Sequence, residues 1–109
     1  MELDKQTQEK IQELQGYEQN IHGLLMQKQA FQMELTETDN ALSEITKSTD
    51  DIFKLVGNIM IKTAKKPIED DLKKKKDLLS LRLKSIETQE SDLTKQAEEL
   101  KKEVMKKIK

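Results

Sequence analysis

A seven-residue repeat of apolar side chains constrains the fold of this chain more than any other feature of its sequence. Two series of positions seven apart carry apolar or aromatic side chains at eight of ten places in the N-terminal part. They are Leu14, Ile21, Lys28, Leu35 and Leu42, and Tyr17, Leu24, Phe31, Thr38 and Ile45. Such spacing forms an apolar seam along an α-helix and is typical of coiled coils. The sequence therefore predicts a first helix over about residues 3–49.

The C-terminal part of the chain repeats this pattern. Its two series are Leu72, Leu79, Ile86, Leu93 and Leu100, and Lys76, Leu83, Glu90, Ala97 and Val104. Pro67 suits the first position of a helix, and acidic residues suit the first turn, where Glu69, Asp70 and Asp71 would then lie. The sequence predicts a second helix over about residues 67–108.

The two repeats match each other when the chain folds back on itself. Facing pairs have residue numbers with one constant sum, as in Leu14 with Leu100 and Leu35 with Leu79. An antiparallel pairing therefore brings both seams into phase. It also places the polar residues Lys28 and Glu90 in adjacent layers, where we expect them to form an ion pair that fixes the register.

Between the helical segments lies a stretch typical of a β-hairpin, over about residues 52–63. Two β-branched, apolar runs flank Gly57-Asn58, a pair suited to a two-residue turn. Pairing across this turn sets Val56 opposite Ile59 and leaves apolar groups on both faces. Because a two-stranded hairpin is marginal alone in water, we expect it to join other strands. The expected assembly residues are Phe53, Leu55, Val56, Ile59, Met60 and Ile61.

Composition favours an extended helical protein over a compact one. Hydrophobic residues make up 34% of the chain, aromatic residues 3% and charged residues 38%, which is typical of a coiled coil. The fold class is thus mainly α: a single domain, residues 1–109, made of a long antiparallel coiled-coil hairpin with one central β-hairpin.

Several function classes are disfavoured by the sequence. The chain has no cysteine and one histidine, His22, so we expect no metal site, no cofactor and no catalytic residues. The run Lys73–Lys76 is flanked by acidic residues and reads as a solvated surface, not as a nucleic-acid site. We expect neither a secretory signal nor a membrane span, and a cytoplasmic location.

The hairpin carries a family resemblance. The stretch Phe53–Thr63 resembles the hairpin signature of β-type prefoldin subunits, especially archaeal ones. The resemblance extends to Gln27–Gln29 and Glu34–Glu37 in the first helix, and to Leu81–Leu83 and Glu87–Glu90 in the second. A single hairpin matches the β type, whereas the α type has two.

This resemblance implies an ATP-independent chaperone. Prefoldins are hexamers of two α-type and four β-type subunits, whose hairpins form a β-barrel platform from which the coiled coils hang. They capture unfolded client proteins and deliver them to a group II chaperonin. The alternative left open by the sequence is a structural coiled-coil adaptor, for which a loop between the helices would suffice.

Client contact is expected where both chain termini meet, at the tip opposite the hairpin. Exposed methionine and leucine can repack against varied partners. The expected client-binding residues are Leu3, Ile11, Leu14, Val104, Met105 and Ile108.

Overall fold

The computed structural model of the chain describes residues 4–108. Helix α1 spans Lys5–Lys47, strand β1 spans Ile52–Val56, strand β2 spans Ile59–Thr63, and helix α2 spans Lys65–Ile108. Two long helices with one central antiparallel hairpin confirm the predicted fold class. Leu3, one of the expected client contacts, lies outside the described residues.

Helix α1 begins after an aspartate that acts as its N-cap. The backbone N–H of Thr7 donates to Asp4 Oδ1 at 2.7 Å, which satisfies one of the N–H groups that a helix leaves without an internal partner. Thr7 itself is only 2% exposed. The helix therefore starts slightly later than predicted, at the residue that follows its cap.

Helix α2 begins two residues earlier than predicted, so the placement of Pro67 as its first residue was wrong. Pro67 is the third residue of the helix. Proline is tolerated at this position because the first N–H groups of a helix have no internal acceptor in any case. Glu69, Asp70 and Asp71 accordingly lie beyond the first turn. At the other end, Lys106 and Lys107 lie in the last turn, where cations face the negative end of the helix dipole.

The apolar seam is where the chain buries its side chains. Every position of the four heptad series is buried or half-buried. Thr38, one of the two polar interruptions in α1, is 3% exposed, and its hydroxyl donates to the Glu34 carbonyl oxygen at 2.8 Å. A polar side chain is thus accommodated in the seam because its hydrogen bond is made within its own helix.

The described residues divide into two compact units. One, the terminal unit, joins the residues up to Gln29 with those from Lys84 onward, and Ile86, Ala97 and Val104 form its buried apolar core. The other, the hairpin unit, spans Ala30–Leu83 and buries Leu79 and Leu83. Each unit contains a part of α1 and a part of α2.

Candidate functional site

The β-hairpin has the predicted register throughout. Val56 pairs with Ile59, Leu55 with Met60, and the ladder continues to Ile52 opposite Thr63. Gly57 has a φ of 62° and Asn58 keeps a negative φ, the pattern of a type II′ turn, whose twist matches that of the strands it joins. The turn therefore fixes which side chains share a face.

All six residues expected to carry assembly are exposed in the single chain. Their exposed fractions run from 50% to 68%; they are Phe53, Leu55, Val56, Ile59, Met60 and Ile61. Both faces of the hairpin contribute, because alternate residues of a strand point to opposite sides. A concentration of apolar surface on two strands with unpaired edges provides what pairing with further strands requires.

The predicted ion pair in the seam is confirmed. Lys28 Nζ lies 3.6 Å from Glu90 Oε2, and both side chains are about a quarter exposed, at 26% and 27%. In the same terminal unit, Lys10 Nζ lies 3.3 Å from Glu103 Oε2. The later residue of α1 thus pairs with the earlier residue of α2, which confirms that the two helices run antiparallel in this unit.

The hairpin unit shows the same antiparallel order. Lys76 Nζ lies 2.9 Å from Asp39 Oδ1, and the Arg82 guanidinium lies 5.9 Å from the centre of the Phe31 ring. The hydrogen bond that Lys76 donates to the Asp39 carboxylate raises the pKa of Lys76 above its ordinary value. The last lysine of the Lys73–Lys76 run is thus paired across the seam, and the first three are exposed.

The expected client contacts differ widely in exposure. Those that the structure describes lie in the terminal helix ends, residues 4–14 and 100–108. Met105 is 47% exposed and Ile108 is 38% exposed, whereas Val104 is 5% exposed. Ile11 and Leu14 are half-buried. Val104 therefore supports the helix pair from inside, and the apolar surface that this end of α2 offers to solvent belongs to Met105 and Ile108.

Exposed apolar side chains also occur outside both expected sites. Sequence reasoning did not single them out; they are Leu25, Met26, Met33, Leu78 and Leu81. Met26 and Met33 each follow a seam position by five residues, which directs them away from the seam. The heptad positions of Met26 and Met33 would therefore have predicted their exposure.

The part of the chain that the structure describes has no group of three or more metal-binding side chains. His22 is exposed on α1. Neither helix, within residues 4–108, combines the length and the apolar character that crossing a bilayer requires.

An antiparallel coiled coil interrupted by one exposed hairpin defines the class of protein: a helical subunit with strand-forming surface at mid-chain. Residues 8–109 match the prefoldin subunit family. The chain therefore belongs to the prefoldin subunit family, a family of non-enzymatic molecular chaperones.

Individual relatives agree with this assignment. The chain is 38% identical over 100 residues to prefoldin subunit beta of Thermococcus onnurineus, covering 90% of this chain and 86% of the relative. It is 37% identical over 105 residues to prefoldin subunit beta of Methanosarcina acetivorans, covering 94% and 90%. The crystal structure of the prefoldin beta subunit from Thermococcus strain KS-1 superposes with a TM-score of 0.90 at 33% identity, over 96% of this chain and 94% of that one.

Proposed function

We propose that this chain is a β-type subunit of an α2β4 chaperone hexamer that captures unfolded proteins without ATP. In this proposal the hairpins of the subunits join into the central platform. The terminal helix ends hold the client, and the complex passes it to a group II chaperonin in the cytoplasm. The relatives named prefoldin subunit beta support the choice of the β type.

The exposure of the hairpin is the observation that carries this proposal. Ile59 and Met60 are 67% and 68% exposed, although isoleucine and methionine are among the residues most often buried in folded proteins. Fully burying each such side chain contributes about 1.5–3 kcal/mol. The strands therefore gain much more from meeting other strands than from staying in water, which favours an assembly subunit over an adaptor with a plain loop.

The proposed client site is adaptable in composition. Met105 lies beside the aliphatic stems of Lys101, Lys102 and Lys106 along an open groove on α2. Methionine is unbranched and polarizable, and lysine stems cover apolar surface while their charges remain in water. Such a surface contacts varied unfolded segments without demanding one shape. The remaining members of the proposed site are Leu3, Ile11, Leu14 and Ile108, whereas Val104, which is 5% exposed, takes part only by packing inside the helix pair.

Assembly is tested by mixing the chain with an α-type prefoldin subunit and measuring the mass of the complex by sedimentation. The wild type is expected to form a species of six chains. Ile59→Asp is expected to prevent it, because a carboxylate in a strand interface would be buried without a partner. Leu81→Asp is the matched control, since Leu81 is 66% exposed but lies on α2. If the wild type and Ile59→Asp both remain a monomer or a simple dimer, the result favours the adaptor.

A further inference from the structure

The last turn of α1 is closed by a lysine that comes from α2. The last backbone carbonyl groups of a helix accept no hydrogen bond from N–H groups of the same helix. Here the N–H of Ser48 donates to the Glu44 carbonyl at 3.0 Å, and Lys65 Nζ donates to the carbonyl oxygens of Thr46 and Ser48, each at 3.2 Å. A cation at this place also faces the negative end of the helix dipole. Lys65 therefore caps α1.

Lys65 is also the first residue of α2, so one side chain connects the end of one helix with the start of the other. Glu69 Oε1, one turn along α2, lies 3.7 Å from Lys65 Nζ. This carboxylate orients the ammonium group and offsets the unfavourable position of a cation at a helix N-terminus. We call Lys65, its two carbonyl acceptors and Glu69 the clasp.

The clasp lies where the hairpin joins the helices. Ala64 alone separates β2 from α2, whereas residues 48–51 separate α1 from β1. Within this longer connection, Asp51 Oδ2 lies 3.3 Å from Lys62 Nζ on β2, and the Asp50 N–H donates to Ser48 Oγ at 3.3 Å. The short link ties the hairpin to α2, and Lys65 ties the end of α1 to the same point.

We propose that Lys65 is a positioning residue for assembly: it fixes the direction in which the hairpin leaves the helix pair and so presents the strands to the hairpin of another subunit. The inference rests on the proposed function in that the hairpin is taken as the interface. Loss of the clasp leaves the apolar strands unchanged but lets the hairpin sample more directions. Association then requires more ordering and is weaker.

The direction of the hairpin is measured in the isolated chain. Because the sequence contains no cysteine, spin labels are introduced by Asn40→Cys on α1 and Asn58→Cys in the turn, two residues that are both exposed. The distance distribution between the labels is expected to broaden with Lys65→Met and to narrow again with Lys65→Arg. Lys66→Met, at the exposed neighbouring residue, is expected to match the wild type. An unchanged distribution in Lys65→Met would overturn the inference.

The consequence is measured in the complex with an α-type prefoldin subunit. Lys65→Met is expected to raise the concentration at half-assembly by about fivefold relative to Lys66→Met, the size expected for a partly exposed charged contact. Lys65→Arg is expected to restore assembly. A difference within twofold of Lys66→Met, or a loss of assembly matched by an equal loss of stability in the isolated chain, overturns the positioning role.

These two measurements separate the inference from the function beneath it. If the wild type fails to assemble with the α-type subunit, the proposed function is refuted, and the spin-label distances still decide whether Lys65 directs the hairpin.

Discussion

The hairpin and the terminal helix ends both present apolar side chains to solvent, but in different chemical settings. Six of the twelve residues from Ile52 to Thr63 are large, apolar and at least half exposed. In the terminal helix ends, Met105 and Ile108 are less exposed, at 47% and 38%, and stand among lysines. The first surface is dense in apolar side chains and carries two lysines, Lys54 and Lys62, whereas the second has few apolar side chains among many charged ones.

The backbone sharpens this difference. The hairpin has a fixed register and strand edges with free N–H and C=O groups, so a partner must match both its side chains and its hydrogen bonds. A helix satisfies its own backbone and offers side chains alone. The hairpin is therefore suited to one defined partner, and the helix ends are suited to many loosely defined ones.

The largest expected effect is the loss of client protection without the loss of assembly. Removing residues 1–9 and 103–109 takes away most of the proposed client surface and leaves the hairpin intact. We expect suppression of client aggregation, measured by light scattering, to be abolished, while sedimentation still finds six chains in the complex. Full suppression by the truncated subunit would refute the assignment of client binding to the helix ends.

A point-variant version avoids removing the buried Val104. Met105→Asp combined with Ile108→Asp is expected to raise the amount of complex needed for half-suppression by about tenfold, which corresponds to about 1.4 kcal/mol, less than burial of one large apolar side chain contributes. Leu78→Asp combined with Leu81→Asp, at exposed positions of α2 in the hairpin unit, is the control and is expected to change suppression little.

The next effect distinguishes a buried residue from an exposed one in the terminal helix ends by the change in the free energy of unfolding. Val104→Ala is expected to lower the free energy of unfolding by about 1–3 kcal/mol, because a side chain that is 5% exposed leaves a cavity when shortened. Met105→Ala is expected to cost less than about 0.5 kcal/mol, as is usual for surface positions. Urea unfolding of the isolated chain measures both. Equal effects would mean that Val104 is not a core residue.

Much of the fold followed from residue patterns because those patterns are local or strictly periodic. The hairpin register follows from Gly57-Asn58 and strand alternation, and the Lys28–Glu90 pair follows from the two heptad series. The heptad position of Val104 likewise indicated burial, although its place near the C-terminus put it among the expected client contacts.

The start of α2 and the clasp were beyond such patterns. Proline is a strong signal for a first helical residue. It is also tolerated at the third position, because a backbone N–H at that position would have no acceptor within the helix. The contacts of Lys65 Nζ with Thr46 and Ser48 join residues 19 and 17 positions apart. No periodicity of the sequence specifies a side chain that reaches across a hairpin to a backbone carbonyl.

Replacing a glycine by alanine is expected to lower stability in the hairpin unit and to raise it in the terminal unit. An added Cβ at Gly57 or Gly23 meets nothing within 4 Å among the described residues, so only backbone conformation matters. Gly57 has a φ of 62°, and Gly57→Ala is expected to destabilise the hairpin by about 1 kcal/mol or more. Gly23 lies inside α1, and Gly23→Ala is expected to stabilise it by about 1 kcal/mol.

Hydrogen exchange of the two units measures this pair of changes. Faster exchange in β1 and β2 for Gly57→Ala and slower exchange in the terminal part of α1 for Gly23→Ala are the expected results. Changes of the same sign in both units would show that the glycines act through something other than local backbone preference.

The smallest expected effect is a dependence of the start of α1 on pH. Hydrogen bonds from the side chain and the backbone of Thr7 lower the pKa of Asp4 below its ordinary value of 3.8. A lowered carboxyl pKa means that the cap contributes its full stability above pH 3.8 and loses it as the pH falls through the folded-state value. We expect the Thr7 amide to lose protection from hydrogen exchange only in that acidic range.

Asn is as good an N-cap as Asp but does not titrate, so Asp4→Asn is expected to keep the Thr7 amide protected across the acidic range. A midpoint at or above pH 3.8 in the wild type would contradict the assignment of Asp4 as a hydrogen-bonded cap. Because the hairpin gains its order from strand pairing and Gly57, its amides serve as the internal reference. If they lose protection together with Thr7, the two regions unfold as one, and the distinction between a fixed assembly surface and an adaptable client surface loses its physical basis.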